Sequence, residues 1–396
     1  MENQLGAGSL VEIIAQIILA STVLYSLIGL FFLIGLFYPK NGTNKFPYRV
    51  TVVVAARNEE KVIATLLDDL INQTYDKNRY QILLANDGST DTTTDIMAQF
   101  EKKHSIIKQI NIKETPPNFS PKKYALQQAV KHANGEIILS TDADCRVKPE
   151  WIETMVSYFT DKIGFVIGFS QFGQKASEQT KWENLQAFDF LQLMGANAGA
   201  ANLGIPLAAS GQNLAYRHKA YKEVKGYTKI SHRVSGDDVL LLQLIQKSTR
   251  WKAVFAADRK SYTTSQPQPT LRDFINQRKR WASNGSYQIK LNFPFFLYLF
   301  VVFINNASLL IGVPLALITG MHQSLIISCF LAKALIEGLV ALKSASHFRR
   351  FDLLDYFPVW FFIQIPYVVI AGLFGTFGRF SWKGRQHTAT TKHKTC

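Results

Sequence analysis

Arg49-Val50-Thr51-Val52-Val53-Val54-Ala55-Ala56-Arg57-Asn58-Glu59-Glu60 is the stretch that decides the fold. A short β-branched apolar run ends in a polar tetrad, and Ile63, Leu66, Leu67 and Leu70 then recur at helical spacing, so a strand is followed by a helix. The alternation returns at Tyr80 to Ala85 before a helix from Asp91 to Lys103, at Ile106 to Ile112 before a helix from Pro121 to Ala133, and at Glu136 to Thr141. Such spacing predicts a doubly wound, mostly parallel sheet with right-handed crossovers, whose ligands bind beyond the carboxyl ends of the strands. Asp87 and the pair Asp142 and Asp144 each follow a strand, so they are expected to face one crevice.

Outward from that stretch the chain becomes apolar. Residues 10 to 37 run for about 28 positions, longer than the ~20 needed to cross a bilayer, and further apolar stretches occupy roughly 293 to 319, 324 to 342 and 356 to 377. The division expected is a transmembrane helix in 1–40, a hydrophilic domain in 41–290, about three membrane segments in 291–378 and a basic tail in 379–396. No small-residue cleavage site interrupts the first apolar run, which disfavours a cleaved signal peptide. Lys40, Lys45 and Arg49 just after it place the amino terminus outside and the domain in the cytoplasm. Basic clusters at 343 to 350 and 379 to 394 both favour the cytoplasm with one segment between them. Either that segment, 356 to 377, is re-entrant or interfacial, which its prolines Pro358 and Pro366 favour, or the positive-inside tendency fails here.

Of 396 residues 47% are hydrophobic, and Lys+Arg 44 against Asp+Glu 29 gives a net charge of +15. Beside apolar spans that excess fits an anionic membrane surface, and no basic stripe with interleaved aromatics argues for nucleic acid. Three scattered cysteines make a disulfide framework improbable and agree with a reducing interior. The five Asn-x-Ser/Thr sequons are then accidents of composition. From about Gly384 to Cys396 the polar, Lys/Thr-rich tail reads as disordered.

Several polar clusters carry the chemistry. Asp142-Ala143-Asp144 offers two hard oxygens on a turn, suited to one Mg²⁺ or Mn²⁺ bridging a diphosphate, although Asp-x-Asp turns are common. Asp87 in Asn86-Asp87-Gly88-Ser89-Thr90 is placed to accept hydrogen bonds from a nucleoside, or else caps the next helix. Lys122-Lys123 stands at a helix start, where cations oppose the dipole and ask for an anionic neighbour. Gly236-Asp237-Asp238 opens the run Val239 to Ile245, so one acid can cap the helix while the other projects into a cleft, one of them poised as a general base. Gln277, Arg280 and Trp281 fall at i, i+3 and i+4 on one helical face: an amide, a phosphate fork and a flat indole, or alternatively a membrane-interface Trp with snorkelling cations.

Taken together in this order, over about residues 48 to 285, the clusters resemble the membrane-embedded family 2 glycosyltransferases, the group of cellulose, chitin and hyaluronan synthases and ceramide glucosyltransferases. The resemblance implies a GT-A-type, Rossmann-like domain with transmembrane helices on both sides. It assigns Arg57, Glu59, Asp87, Lys123, Asp142, Gln277 and Arg280 to the nucleotide sugar, Asp142 and Asp144 to the metal, and Asp238 with Asp237 to catalysis. Trp281 and the segment containing Gln212 and Asn213 fall to the acceptor. Two departures stand out: Gly236-Asp237-Asp238 occupies the place of Thr-Glu-Asp in many relatives, and Asn86 that of an Asp.

The activity so implied is an inverting transfer of a hexose or N-acetylhexosamine from a UDP-sugar to a lipid or growing glycan acceptor. The enzyme is expected in a bacterial inner membrane with its catalytic domain in the cytoplasm. Three apolar segments after the domain look lean for the channel of a processive synthase, and Lys333 and Glu337, four apart, are placed to pair inside the bilayer. Trp382-Lys383-Gly384-Arg385 resembles a tail of small members that glycosylate lipids. A processive synthase, a non-catalytic nucleotide-binding scaffold and a nucleotidyltransferase on the same sheet type are the competing readings.

Overall fold

The computed structural model describes residues 2–382 and 385–388, with side chains from Val11 to Arg379. In chain order α1 (Glu2–Gly35) precedes β1 (Val50–Ala56), α2 (Ile63–Ile71), β2 (Tyr80–Asn86), α3 (Thr93–Lys103), β3 (Ile107–Asn111), α4 (Pro121–Lys131) and β4 (Ile137–Ser140). Then come β5 (Arg146–Val147), α5 (Trp151–Val156), β6 (Ile163–Gly168), β7 (Ser170–Phe172), α6 (Lys181–Asn202), β8 (Leu214–Arg217) and α7 (His218–Glu223). After α8 (Val239–Ser248), β9 (Lys252–Ala256), β10 (Thr263–Ser265), α9 (Leu271–Ala282) and α10 (Gln288–Leu291) the long helices α11 (Phe293–Thr319), α12 (Gln323–Phe348) and α13 (Phe357–Phe377) complete the chain with the hairpin β11 (Arg379–Trp382) and β12 (Arg385–Thr388).

Two compact units result. An α/β unit comprises Tyr38–Glu178 and Ala200–Pro267, and a helical unit Met1–Phe37, Gln179–Gly199 and Gln268–Ala389. Most of α6 and all of α9 therefore belong to the helical unit, although the linear reading places them inside a 41–290 domain. Neither is apolar enough to announce that allegiance, because both carry buried polar groups described below.

In the α/β unit β1 is central, with parallel neighbours β2 and β4 in register Val50↔Tyr80 and Val50↔Ile137. Its valines are buried on both faces, which is why the sequence shows an unbroken apolar run rather than alternation. Ile63, Leu66, Leu67 and Leu70 of α2 are all buried in the same core, with Trp151, Met155 and Phe159. The sheet has the order β3-β2-β1-β4-β8-β6-β9. All pairs are parallel except those of β8, which runs antiparallel to both β4 and β6. The expectation of a mostly parallel sheet holds, and the reversed β8 is its one inserted strand, only four residues long. A small second sheet, β5-β10-β7, lies after the strand ends.

The helical unit is built inside out. Val11–Gly35, Phe293–Thr319, Gln323–Phe348 and Phe351–Phe377 are each long and apolar enough to cross a membrane. Leu317, Ile318, Leu331, Leu335, Phe362 and Phe377 are exposed while Asn305, Lys333, Glu337 and Gln364 are buried. That arrangement suits a lipid surround, where polar groups are satisfied between helices. Asn305 of α11 donates to Thr22 Oγ1 of α1 at 2.9 Å. Lys333 Nζ lies 2.5 Å from Glu337 Oε1 on α12, and the same carboxylate accepts from Tyr25 of α1 and from Gln364 of α13. The last apolar segment is one continuous helix through Pro366, preceded by a 3-10 turn at Phe351–Tyr356. A broken re-entrant shape is not what the backbone adopts. Of the tail expected to be disordered, Arg385–Thr388 pairs with Arg379–Trp382; Lys383, Gly384 and everything after Thr388 lie outside the described residues.

Candidate active site

The loops after β1 and β2 form one piece. Arg57 donates to the Asp87 carbonyl at 3.0 Å, the Thr90 amide to Asn58 Oδ1 at 2.8 Å, and Thr92 donates through both its amide and its hydroxyl to Glu60. Asn58 and Gly88 both sit at positive φ, 54° and 66°, and Gly88 leaves open space where a Cβ would stand. Asn86 explains its own departure from the family pattern. Its amide donates to Thr94 Oγ1 and Asn111 Oδ1 and accepts from the Ser89 amide, a mixture that an ionised Asp cannot reproduce. Arg57, Glu59 and Asp87 thus share a rim fixed by both strand ends.

Across the sheet the α4 start meets the turn after β4. Lys122 Nζ lies 2.8 Å from Asp142 Oδ1 and 3.0 Å from Asp237 Oδ2, one ammonium between two acids that are 95 positions apart in sequence (237 − 142). Asp238 caps α8 by accepting from the Val239 amide at 2.6 Å, and its other oxygen accepts from the Gly211 amide at 2.8 Å. A Cβ on Gly211 would stand 3.4 Å from Lys122 Nζ and 3.5 Å from both Asp142 Oδ1 and Asp237 Oδ2, so glycine keeps the space beside all three open. Of the two acids one caps and the other projects, as the sequence anticipates.

Their environments push the two acids apart. Burial favours the neutral form of Asp237, yet Lys122 and Lys123 outweigh it and hold the carboxyl below its usual range. Burial and the neighbouring Asp237 charge push Asp238 the other way, up to about 6. Burial alone would pull the Lys122 ammonium down, but Asp142 and Asp237 hold it well above the ordinary lysine range.

Two residues expected at the ligand are instead internal. Lys123 has no exposed surface, and its ammonium is 2.5 Å from the Arg233 carbonyl and 2.7 Å from that of Ser235, tying down the segment that leads into Asp237. Lacking a carboxylate contact in that burial, its pKa falls to about 7. Lys122, one position earlier, is the lysine that meets the acids; the sequence signal was the doubled Lys itself, since one turn of helix cannot aim neighbours the same way. Asn213 is likewise fully buried, accepting from Trp151 Nε1 and donating to the Phe169 and Ser261 carbonyls. Gln212 keeps partial exposure, donates to Ser265 Oγ at 2.8 Å and accepts at its carbonyl from Thr141.

Within the helical unit Gln277, Arg280 and Trp281 all lie on α9, whose first turn is capped by Thr270 accepting from the Asp273 amide. All three are half-buried. Arg278, between them, is buried: it donates to Gln277 Oε1 at 3.2 Å, its guanidinium carbon stands 4.3 Å from the Trp281 ring centroid, and it pairs with Asp189 of α6.

Sheet order, reversed β8 and acids at the strand ends are those of a GT-A glycosyltransferase fold. The chain carries a family 2 glycosyltransferase domain, residues 51–224 matching the family described as Glycosyl transferase family 2. It is similar to "Probable glycosyltransferase YdaM" of Bacillus subtilis, 27% identical over 65% of this chain and 65% of that one. It is also similar to "Beta-monoglucosyldiacylglycerol synthase" of Nostoc, 34% identical over 33% of this chain and 27% of that one. The chain thus spans less than two thirds of the length of these curated relatives. Among solved structures, the mannosyltransferase PcManGT of Pyrobaculum calidifontis, in complex with GDP-Man and Mn²⁺, superposes over 91% of this chain and 98% of its own with a TM-score of 0.60 at 16% identity, a likeness of fold.

The donor set Asp142 and Asp144 fits partial ligation of a divalent metal. Asp142 and Asp144 supply two hard oxygens, and among the described residues no group of three or more His, Cys, Asp or Glu gathers to complete a cage. Mg²⁺ and Mn²⁺ accept such partial protein ligation when diphosphate and water provide the rest.

Proposed function

We propose that the protein is a membrane-bound inverting glycosyltransferase that moves a hexose or N-acetylhexosamine from a UDP-sugar to a lipid acceptor at the cytoplasmic membrane face. The observation that carries this reading is the quartet Lys122, Asp142, Asp237 and Asp238 at the strand ends, with one acid's pKa raised and the other's lowered. Such a pair separates an acid fit for proton abstraction from one that stays charged. Asp238 takes the proton of the acceptor hydroxyl as its oxygen attacks the anomeric carbon, and the Gly211 and Val239 amides orient the carboxylate for that role. Lys122 is placed to exchange its carboxylate partners for diphosphate oxygens. Asp142 and Asp144 would hold Mg²⁺ or Mn²⁺, which neutralises the departing nucleoside diphosphate.

Arg57, Glu59 and Asp87 are assigned to the nucleoside. Gln277 and Arg280 are assigned to the diphosphate, and Trp281 and Gln212 to the acceptor. The lipid acceptor rests on the glucosyldiacylglycerol synthase relative and on the four helices of spanning length. A growing glycan is the second choice, since a processive synthase needs a channel.

Purified protein given a panel of UDP-sugars, Mn²⁺ and membrane lipids should release UDP and yield a glycolipid by mass spectrometry, and Asp238→Asn should slow both by about 10²- to 10⁴-fold. Pyrophosphate release would make the protein a nucleotidyltransferase. UDP binding without release from any common donor would make it a scaffold.

A further inference from the structure

Asp189 is a buried carboxylate with a polar duty that the transfer chemistry does not use. It sits mid-way along α6 with 2% exposure and accepts from three side chains: Arg278 of α9, Trp360 Nε1 of α13 at 2.8 Å, and the Tyr367 hydroxyl of α13. Three elements of the helical unit therefore meet on one carboxylate. A charge so buried persists only with charge-assisted donors around it, and those donors are directional.

What Asp189 fixes is the orientation of α9. With Asp189 holding one Nη, the guanidinium of Arg278 presents its other Nη to Gln277 Oε1 at 3.2 Å and its flat face to the Trp281 ring. The amide of Gln277 is thereby turned so that its NH₂ is the end left for a ligand, and the indole is backed by a cation on one side. Phe190, one position from Asp189 on α6, approaches the Trp281 ring with centroids 6.1 Å apart. Two of the three residues of α9 assigned to ligands, Gln277 and Trp281, are thus held through Arg278 by Asp189.

We propose that Asp189, acting through Arg278, is the positioning residue for Gln277 and Trp281. This rests on the glycosyltransferase reading above, and the test keeps the two separable. The first measurement needs no substrate. The Trp281 emission, isolated as the difference between otherwise identical proteins with and without Trp281→Phe, should shift in wavelength when Asp189→Asn releases Arg278; unchanged emission overturns the proposal whatever the enzyme's activity.

The second measurement is kinetic. Per folded molecule, Asp189→Asn should lower kcat at least about tenfold and raise the acceptor KM, since misplacement of about an ångström is worth that much or more. UDP affinity should also fall, but less than kcat, because Gln277 is only one of the groups assigned to the nucleotide while Asp87 and Arg57 are fixed within the α/β unit. Loss of folded protein with kcat per folded molecule unchanged would make Asp189 structural only and refute the idea. Should Asp189→Asn fail to fold, Tyr367→Phe removes a single hydroxyl from the same carboxylate. A smaller fall in kcat and a smaller emission shift are then expected, and no change in either refutes.

Discussion

Replacing Lys122 by Met keeps the aliphatic stem and removes the ammonium that bridges Asp142 and Asp237. At 2.8 and 3.0 Å each attraction amounts to about 5 to 6 kcal/mol at an effective dielectric of about 20, before the ammonium's own desolvation is subtracted. Breaking a buried pair costs about 3–5 kcal/mol, and with Lys122 partly exposed the lower end applies. If the donor's diphosphate takes over this ammonium in the complex, about 2 to 3 kcal/mol of donor binding is lost, roughly a 30- to 150-fold weaker UDP affinity. The metal should respond in the opposite sense. Lys122 occupies an oxygen of Asp142 that Mn²⁺ would use, so the variant should bind Mn²⁺ more tightly than wild type when nucleotide is absent. Titration of UDP by calorimetry and of Mn²⁺ by electron paramagnetic resonance reads both effects on one preparation. A variant whose UDP and Mn²⁺ affinities both match wild type would refute the reasoning, as would one in which both weaken together.

Three further outcomes are expected. Asp238 works as a base only when ionised and its pKa is raised to about 6, so wild-type kcat/KM should fall as pH drops through about 6; Asp238→Asn, about 10²- to 10⁴-fold slower, should lose that limb. Lys123 titrates near 7 when folded and 10.5 when unfolded, so the unfolded chain binds the extra proton between those values and wild type should gain stability on a Lys123→Met variant as pH rises through that window; parallel melting curves from pH 6 to 10 would exclude it. Lys333→Met or Glu337→Gln alone should cost about 3–5 kcal/mol in detergent-solubilised unfolding, and the double variant less than either, because the singles leave a buried charge without its counter-ion. Additive losses would argue against that account.

Much of this was legible before any coordinates. The unbroken run Val50–Ala56 shows because β1 is buried on both faces, the spacing of Ile63 to Leu70 because α2 buries one face, and the acids after β2 and β4 inherit their place from the strands. What was not legible depends on direction or on distant partners. Lys122 and Lys123 are the same residue type at adjacent positions, and only the helix's 100° turn per residue decides which reaches the acids and which enters the core. Asn213 reads as an amide beside an acceptor segment, yet both its amide hydrogens go to two remote carbonyls and its oxygen accepts from Trp151. Asp189 gave no signal at all: a lone acid in a mixed helix becomes meaningful only when Arg278, Trp360 and Tyr367 arrive from about 90 to 180 residues downstream.

The Glu337 hub has a consequence for how the protein is made. Tyr25 on α1 finds its acceptor 312 positions later, and Gln364 follows another 27 after that. Lys333 and Glu337 can enter the bilayer as a self-neutralising pair on one helix, but the remaining lone pairs of that carboxylate wait for both the earliest and the latest spans. The whole α/β unit is translated in the interval. The hub therefore closes late: α1 can already meet α11 through Thr22 and Asn305, but the Glu337 carboxylate lacks the Gln364 donor until α13 is made, and a chain cut short before α13 leaves that carboxylate without it.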